Sequence, residues 1–121
     1  SIRRKTRLRM AAGSSEAQIR EALAIVRGIL KDHEGMSADR PPRVYFDEFN
    51  PDSVSIVIFY WYEPADYWAF CELAERINLE IIRRFAEAGI ELVPPTSATR
   101  ITSETGDPLE LRSSSTDDGE S

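Results

Sequence analysis

The sequence predicts an α+β fold with the element order strand, helix, strand, strand, helix, strand, and three observations carry that reading. Val54 to Tyr62 is dense in β-branched and aromatic residues, the composition of a pleated, buried surface. Two segments, Glu16 to His33 and Asp66 to Ala88, repeat apolar residues every three or four positions, as a helix of about 3.6 residues per turn with one buried face must. The turn Asn50-Pro51-Asp52-Ser53 joins the strand 54–62 to a preceding extended segment, which makes a hairpin.

Residues 3–10 alternate, with Thr6, Leu8 and Met10 on one face and Lys5, Arg7 and Arg9 on the other, and read as a strand. Ala11 to Ser15 breaks the alternation. Ser15 with Gln18 three residues on is a capping-box signature. The helix that follows carries Ile19, Ala22, Leu23, Val26, Ile29 and Leu30 on one stripe and is expected to run to His33, with Gly35 as its stop. His33 is then expected at a helix end, favouring the C-terminal dipole or solvated. Pro41-Pro42 disfavours helix and introduces a strand over Arg43 to Phe49.

In the strand 54–62, Val54, Ile56, Ile58, Tyr60 and Tyr62 fall on one side and Ser55, Val57, Phe59 and Trp61 on the other. Both faces are apolar towards its end, more than two helices on one side of a sheet can cover, so a partner surface is expected over Val57, Phe59 and Trp61. Glu63-Pro64-Ala65-Asp66 switches the period to helical, with Asp66 or Glu63 as N-cap. The stripe Phe70, Leu73, Ala74, Ile77, Ile81 and Phe85 faces the core, Leu79 falls opposite, and Gly89 ends the helix. Ile90 to Val93 is a short extended piece, and after Pro94-Pro95 a further strand is expected over 96–101. The Ser, Thr, Asp, Glu and Gly composition beyond Thr102 predicts a disordered tail. The expected architecture is ferredoxin-like, βαββαβ, with two helices on one face of a four-stranded antiparallel sheet plus a C-terminal extra strand, as one domain over 1–102 followed by an acidic Ser/Thr-rich disordered tail, 103–121.

Composition narrows the function. The chain of 121 residues is 41% hydrophobic and 30% charged, which allows one core-bearing soluble domain. No apolar run approaches the roughly 18 to 20 residues that cross a bilayer, and no signal peptide is visible. The start at Ser1 leads us to expect a piece of something longer. The single cysteine, Cys71, excludes an internal disulfide framework and fits a packing residue on the second helix. Net charge is -6, and because Arg3, Arg4, Lys5, Arg7 and Arg9 cluster at the start, the rest of the chain is more acidic still, which argues against a nucleic-acid partner. The sequence offers no phosphate-binding glycine loop, zinc spacing or Ser-His-Asp set, so neither cofactor nor catalysis is expected. The alternatives weighed are a stand-alone regulatory module binding a small ligand between subunits, an acylphosphatase-like enzyme using the Ala11 to Ser15 loop, and RNA binding on the sheet face.

Asp52 to Ile58, Trp61-Tyr62, Ala65 to Trp68, Ile77 to Ile81 and Phe85 to Glu91 resemble the C-terminal cytoplasmic domain of the MscS-type, small-conductance mechanosensitive channels. The likeness is close over 44–92 and looser over 3–35. It implies a subunit of a homo-heptamer in a prokaryotic inner membrane, held there by segments outside this sequence, with this domain walling a cytoplasmic vestibule during osmotic-stress ion efflux. The family follows the domain with Pro-Phe-Pro and a barrel-forming strand. Here Val93 and Pro94 replace the first two of these residues, and Thr99-Arg100-Ile101 replaces a more hydrophobic strand. Residues expected at oligomer or domain contacts are Val57, Phe59, Trp61, Leu79, Thr99 and Ile101.

Overall fold

A computed structural model describes residues 1–93. The elements are β1 (Ile2–Ala11), α1 (Glu16–Leu30), β2 (Arg43–Asn50), β3 (Ser53–Tyr62) and α2 (Tyr67–Glu87). Among the described residues the sheet has three strands in the order β1-β3-β2, both outer strands antiparallel to β3. The expected strand over 96–101 and the expected tail over 103–121 lie outside the described residues.

The most apolar strand takes the centre because a central strand is shielded by neighbours on both edges. β1 pairs with β3 along its whole length, from Ile2 opposite Tyr62 to Ala11 opposite Ser53. α1 then carries the chain across β3 to its far side, where β2 returns through the tight turn before Ser53.

Both helices lie on one face of the sheet. Val54, Ile56, Ile58, Tyr60 and Tyr62 join the α1 stripe Ile19, Ala22, Val26 and Leu30 and the α2 stripe in a single core cluster. Complete burial of each large aliphatic or aromatic side chain there contributes about 1.5 to 3 kcal/mol. The Arg27 guanidinium donates to the Val44 carbonyl at 2.7 Å and ties α1 to β2.

The capping box at α1 forms as its sequence requires. The Ser15 hydroxyl accepts from the Gln18 amide at 3.1 Å, and the Gln18 side chain accepts from the Ser15 amide at 2.9 Å. Ser15→Ala is expected to cost about 1 kcal/mol, read as a lower urea midpoint; an unchanged midpoint would show that the cap does not contribute.

The end of α1 differs from expectation. The helix stops at Leu30, because Lys31 turns to an extended conformation (φ -60, ψ 126) and Asp32 takes a positive φ of 52. His33 is therefore turned inwards and is only 8% exposed, its ring edge-on to Tyr60 at 5.5 Å. Gly35 does not cap the helix. At φ +79 it brings the loop against β3, its carbonyl accepting from the Glu63 amide at 2.8 Å.

α2 is bounded as its residues dictate. The Asp66 side chain accepts from the Ala69 amide at 3.1 Å. At the other end Gly89 (φ +74) allows the Ile90 amide to reach the Phe85 carbonyl at 2.9 Å and the Gly89 amide to reach Ala86 at 3.1 Å, a Schellman closure with Ile90 buried beneath it. The chain then returns to β1. Leu92 forms an antiparallel bridge with Met10, and the Val93 amide donates to the Arg9 carbonyl at 2.8 Å.

Candidate assembly interface

The face of the sheet turned away from the helices is built by strand register. Residues directly opposite on neighbouring strands share a face, so Arg9, Arg7, Lys5 and Arg3 of β1 align with Ser55, Val57, Phe59 and Trp61 of β3. From β2, Arg43 aligns with Phe59, Tyr45 with Val57 and Glu48 with Ser55. An apolar centre thus lies between a row of four cations on β1 and a mixed row, Arg43, Tyr45 and Glu48, on β2.

The chain covers part of this face itself, which the sequence reading did not foresee. Val57 is only 6% exposed, and Phe59 and Trp61 are half-buried. Long basic side chains can lay their methylene stems on apolar surface while the charged heads reach water. The Lys5 ammonium lies 5.8 Å from the centre of the Phe59 ring, and Arg43 donates to the Tyr45 hydroxyl at 3.2 Å. Arg7 pairs with Asp47 at 2.8 Å. What remains open is aromatic: the half-buried Phe59 and Trp61 beside the β1 cations, and the exposed Tyr45 on β2.

Leu79 is not brought to this face. It stands 58% exposed on the outer side of α2 with Ile82, 57% exposed. Two residues of helix turn it by about 200° from the core residue Ile77. Thr99 and Ile101 lie outside the described residues.

Two aromatic pairs escaped the sequence reading. Phe49, 79% exposed, packs edge-on against Phe46 at 5.2 Å on the helix side of β2. Strict alternation would put them on opposite faces, but a bulge between Phe46 and Glu48 returns both to one. Nothing local in the sequence announces that bulge. Trp68, 75% exposed, lies against Tyr67 at the start of α2. Its position off the Phe70 stripe was legible from helical spacing.

The charged groups lining the space between the helices pair with one another. A groove of about 430 Å³ between the helices is lined by His33, Glu34, Arg76, Glu80 and Arg84, among others. Arg76 bonds Glu34 at 2.7 Å and Arg84 bonds Glu80 at 2.8 Å. Arg84, with Arg83 beside it, holds the Glu80 carboxyl below its ordinary value of 4.5. A depressed carboxylate stabilises above its unfolded-state value and loses that contribution as pH falls through the folded one. Glu80→Gln is thus expected to reduce the urea midpoint at neutral pH and to converge with the parent on acidification; parallel curves would contradict this. Among the described residues no group of three or more His, Cys, Asp or Glu is placed to hold a metal ion. None of the described helices is long and apolar enough to cross a membrane. Cys71 is half-buried against the core.

Comparison with known proteins decides what this domain is. The family model described as "Mechanosensitive ion channel MscS, C-terminal" matches residues 5–92. The chain belongs to the MscS family. The match runs from within β1 to the Leu92 bridge, which is almost all of the described residues. An uncharacterized MscS family protein of Aquifex aeolicus is 29% identical over 103 residues, covering 82% of this chain and 28% of that protein. The large-conductance mechanosensitive channel MscMJLR of Methanocaldococcus jannaschii is 33% identical over 82 residues, covering 65% of this chain and 22% of the relative. The chain thus spans about a quarter of the length of these MscS relatives.

Proposed function

We propose that this domain is the cytoplasmic part of a mechanosensitive channel subunit, where it walls a vestibule, supports self-assembly and so serves ion efflux under osmotic stress. The observation that carries this reading is the MscS C-terminal match over 5–92, on a chain covering only about a quarter of its relatives. On this reading the rest of the parent supplies the pore and the attachment to a prokaryotic plasma membrane, and the assembly is a homo-heptamer. The role is architectural, with no residue engaged in catalysis and no cofactor.

Within the assembly, Phe59 and Trp61 meet a neighbouring subunit or an adjoining domain, while Val57 supports them from beneath. Leu79, with Ile82, belongs to a separate contact on the outer side of α2. The Leu92 bridge to Met10 favours a fourth strand continuing along β1, which would complete the ferredoxin-like order with the domain over 1–102. Thr99 and Ile101 would be carried on that strand.

The full-length parent, reconstituted in liposomes and pulled by suction in a patch pipette, is expected to open stepwise conductances with rising tension. A parent without tension-gated current, or a dimer that binds a metabolite, would overturn this reading.

A further inference from the structure

We propose that the acidic segment 104–120 of this same chain docks on the basic face of its own sheet. Arg3, Lys5, Arg7 and Arg9 stand in one row on β1, and Arg43 faces them across β3. Against these five cations the face presents Glu48 and Asp47, and Asp47 is committed to Arg7. This is a local excess of positive charge on a chain whose net charge is -6. Neighbouring cations on one strand face stand about 7 Å apart, close enough to repel and to be bridged by a single carboxylate.

The segment has the complementary chemistry. Glu104, Asp107, Glu110, Asp117, Asp118 and Glu120 oppose one cation, Arg112. Leu109 and Leu111 sit among them and match the half-buried Phe59 and Trp61 beside the cationic row of β1.

The point of departure also fits. Val93, the last described residue, is hydrogen-bonded to Arg9, so the chain leaves beside the strand that carries four of the five cations. The eleven residues from there to Glu104 can extend by up to about 36 Å, more than the roughly 34 Å length of ten-residue β1. Every cation of the face is within reach. The docking requires only this chain; where the face receives a neighbouring subunit as proposed above, that subunit and the segment compete for it.

The test is paramagnetic broadening in the 121-residue chain, with Cys71→Ser and a nitroxide on Ser115→Cys. Amide signals of Lys5, Arg7, Phe59 and Trp61 are expected to lose intensity at about 0.01 M salt, where charges act over about 30 Å, and to recover near 1 M, where they act over about 3 Å. They are also expected to recover when the six carboxylates of the segment are replaced by Asn and Gln, changes that leave residues 1–93 untouched. Four results would overturn the proposal: no broadening at low salt, broadening centred on α1 and α2, broadening that survives neutralisation, or broadening of isotope-labelled chains by spin labels on separate, unlabelled ones. The last would mean contact between copies.

Discussion

Phe70→Ala is expected to lower the unfolding free energy by about 3 to 5 kcal/mol, the cost of a lost aromatic and the cavity it leaves. Phe70 is 2% exposed and lies on the first turn of α2, where the helix meets the end of the sheet. Its ring centre is 6.1 Å from Tyr60 and 5.8 Å from Tyr62, and the Arg4 guanidinium stands 5.0 Å away over its face. Burial pushes the Tyr60 phenol up, so the ring beside Phe70 stays neutral through the working range. Domains of this size have about 5 to 15 kcal/mol in total, so the substitution removes a large share. Urea denaturation measures it. A loss below about 1 kcal/mol would mean that the site collapses without a cavity and that Phe70 does not anchor α2 on the sheet.

Gly35→Ala is expected to cost about 3 kcal/mol, combining left-handed strain of about 1 to 2 kcal/mol with overpacking of about 1 to 3. A Cβ built at Gly35 would lie 2.4 Å from Cδ1 and 2.5 Å from Cε1 of Tyr62, whose ring is itself packed into the core. The comparison that isolates the clash is Gly89→Ala. That glycine has nearly the same φ, +74 against +79, but nothing within 4 Å of the added atom. It should lose only the strain, about 1 to 2 kcal/mol. Equal losses at the two positions, by urea denaturation, would show that the close approach to Tyr62 does not matter.

The two glycines also mark how far the sequence could be read. Local rules were enough for Gly89, where the apolar stripe ends and a Schellman closure follows. They were enough for Ser15 and Gln18 as well, and for the α2 stripe, whose six residues are the six buried ones of that helix. Gly35 looked like another helix stop, but its need for glycine comes from Tyr62, far along the chain, and no local window contains that contact. His33 is buried rather than solvated because α1 ends early, at Leu30, and the chain turns it towards Tyr60, where its Nδ1 meets the Glu34 carbonyl at 2.8 Å.

The second face of the sheet was half legible. Alternation in β1 put Lys5, Arg7 and Arg9 on one side, and alternation in β3 put Val57, Phe59 and Trp61 on one side. Only strand register showed that these were the same side, so a face that looked too apolar for its own domain turned out to be partly sheltered by its own cations. The bulge that unites Phe46 and Phe49 was hidden in the same way, since it depends on how β2 is paired with β3.

The central claim is that this sheet face serves assembly. Its most direct test is Trp61→Ser in the full-length parent, purified in detergent and sized by multi-angle light scattering, with circular dichroism of the 121-residue variant confirming that the domain still folds. A loss of the assembled mass in favour of smaller species is the result expected. An unchanged oligomer with a folded variant domain would contradict the claim.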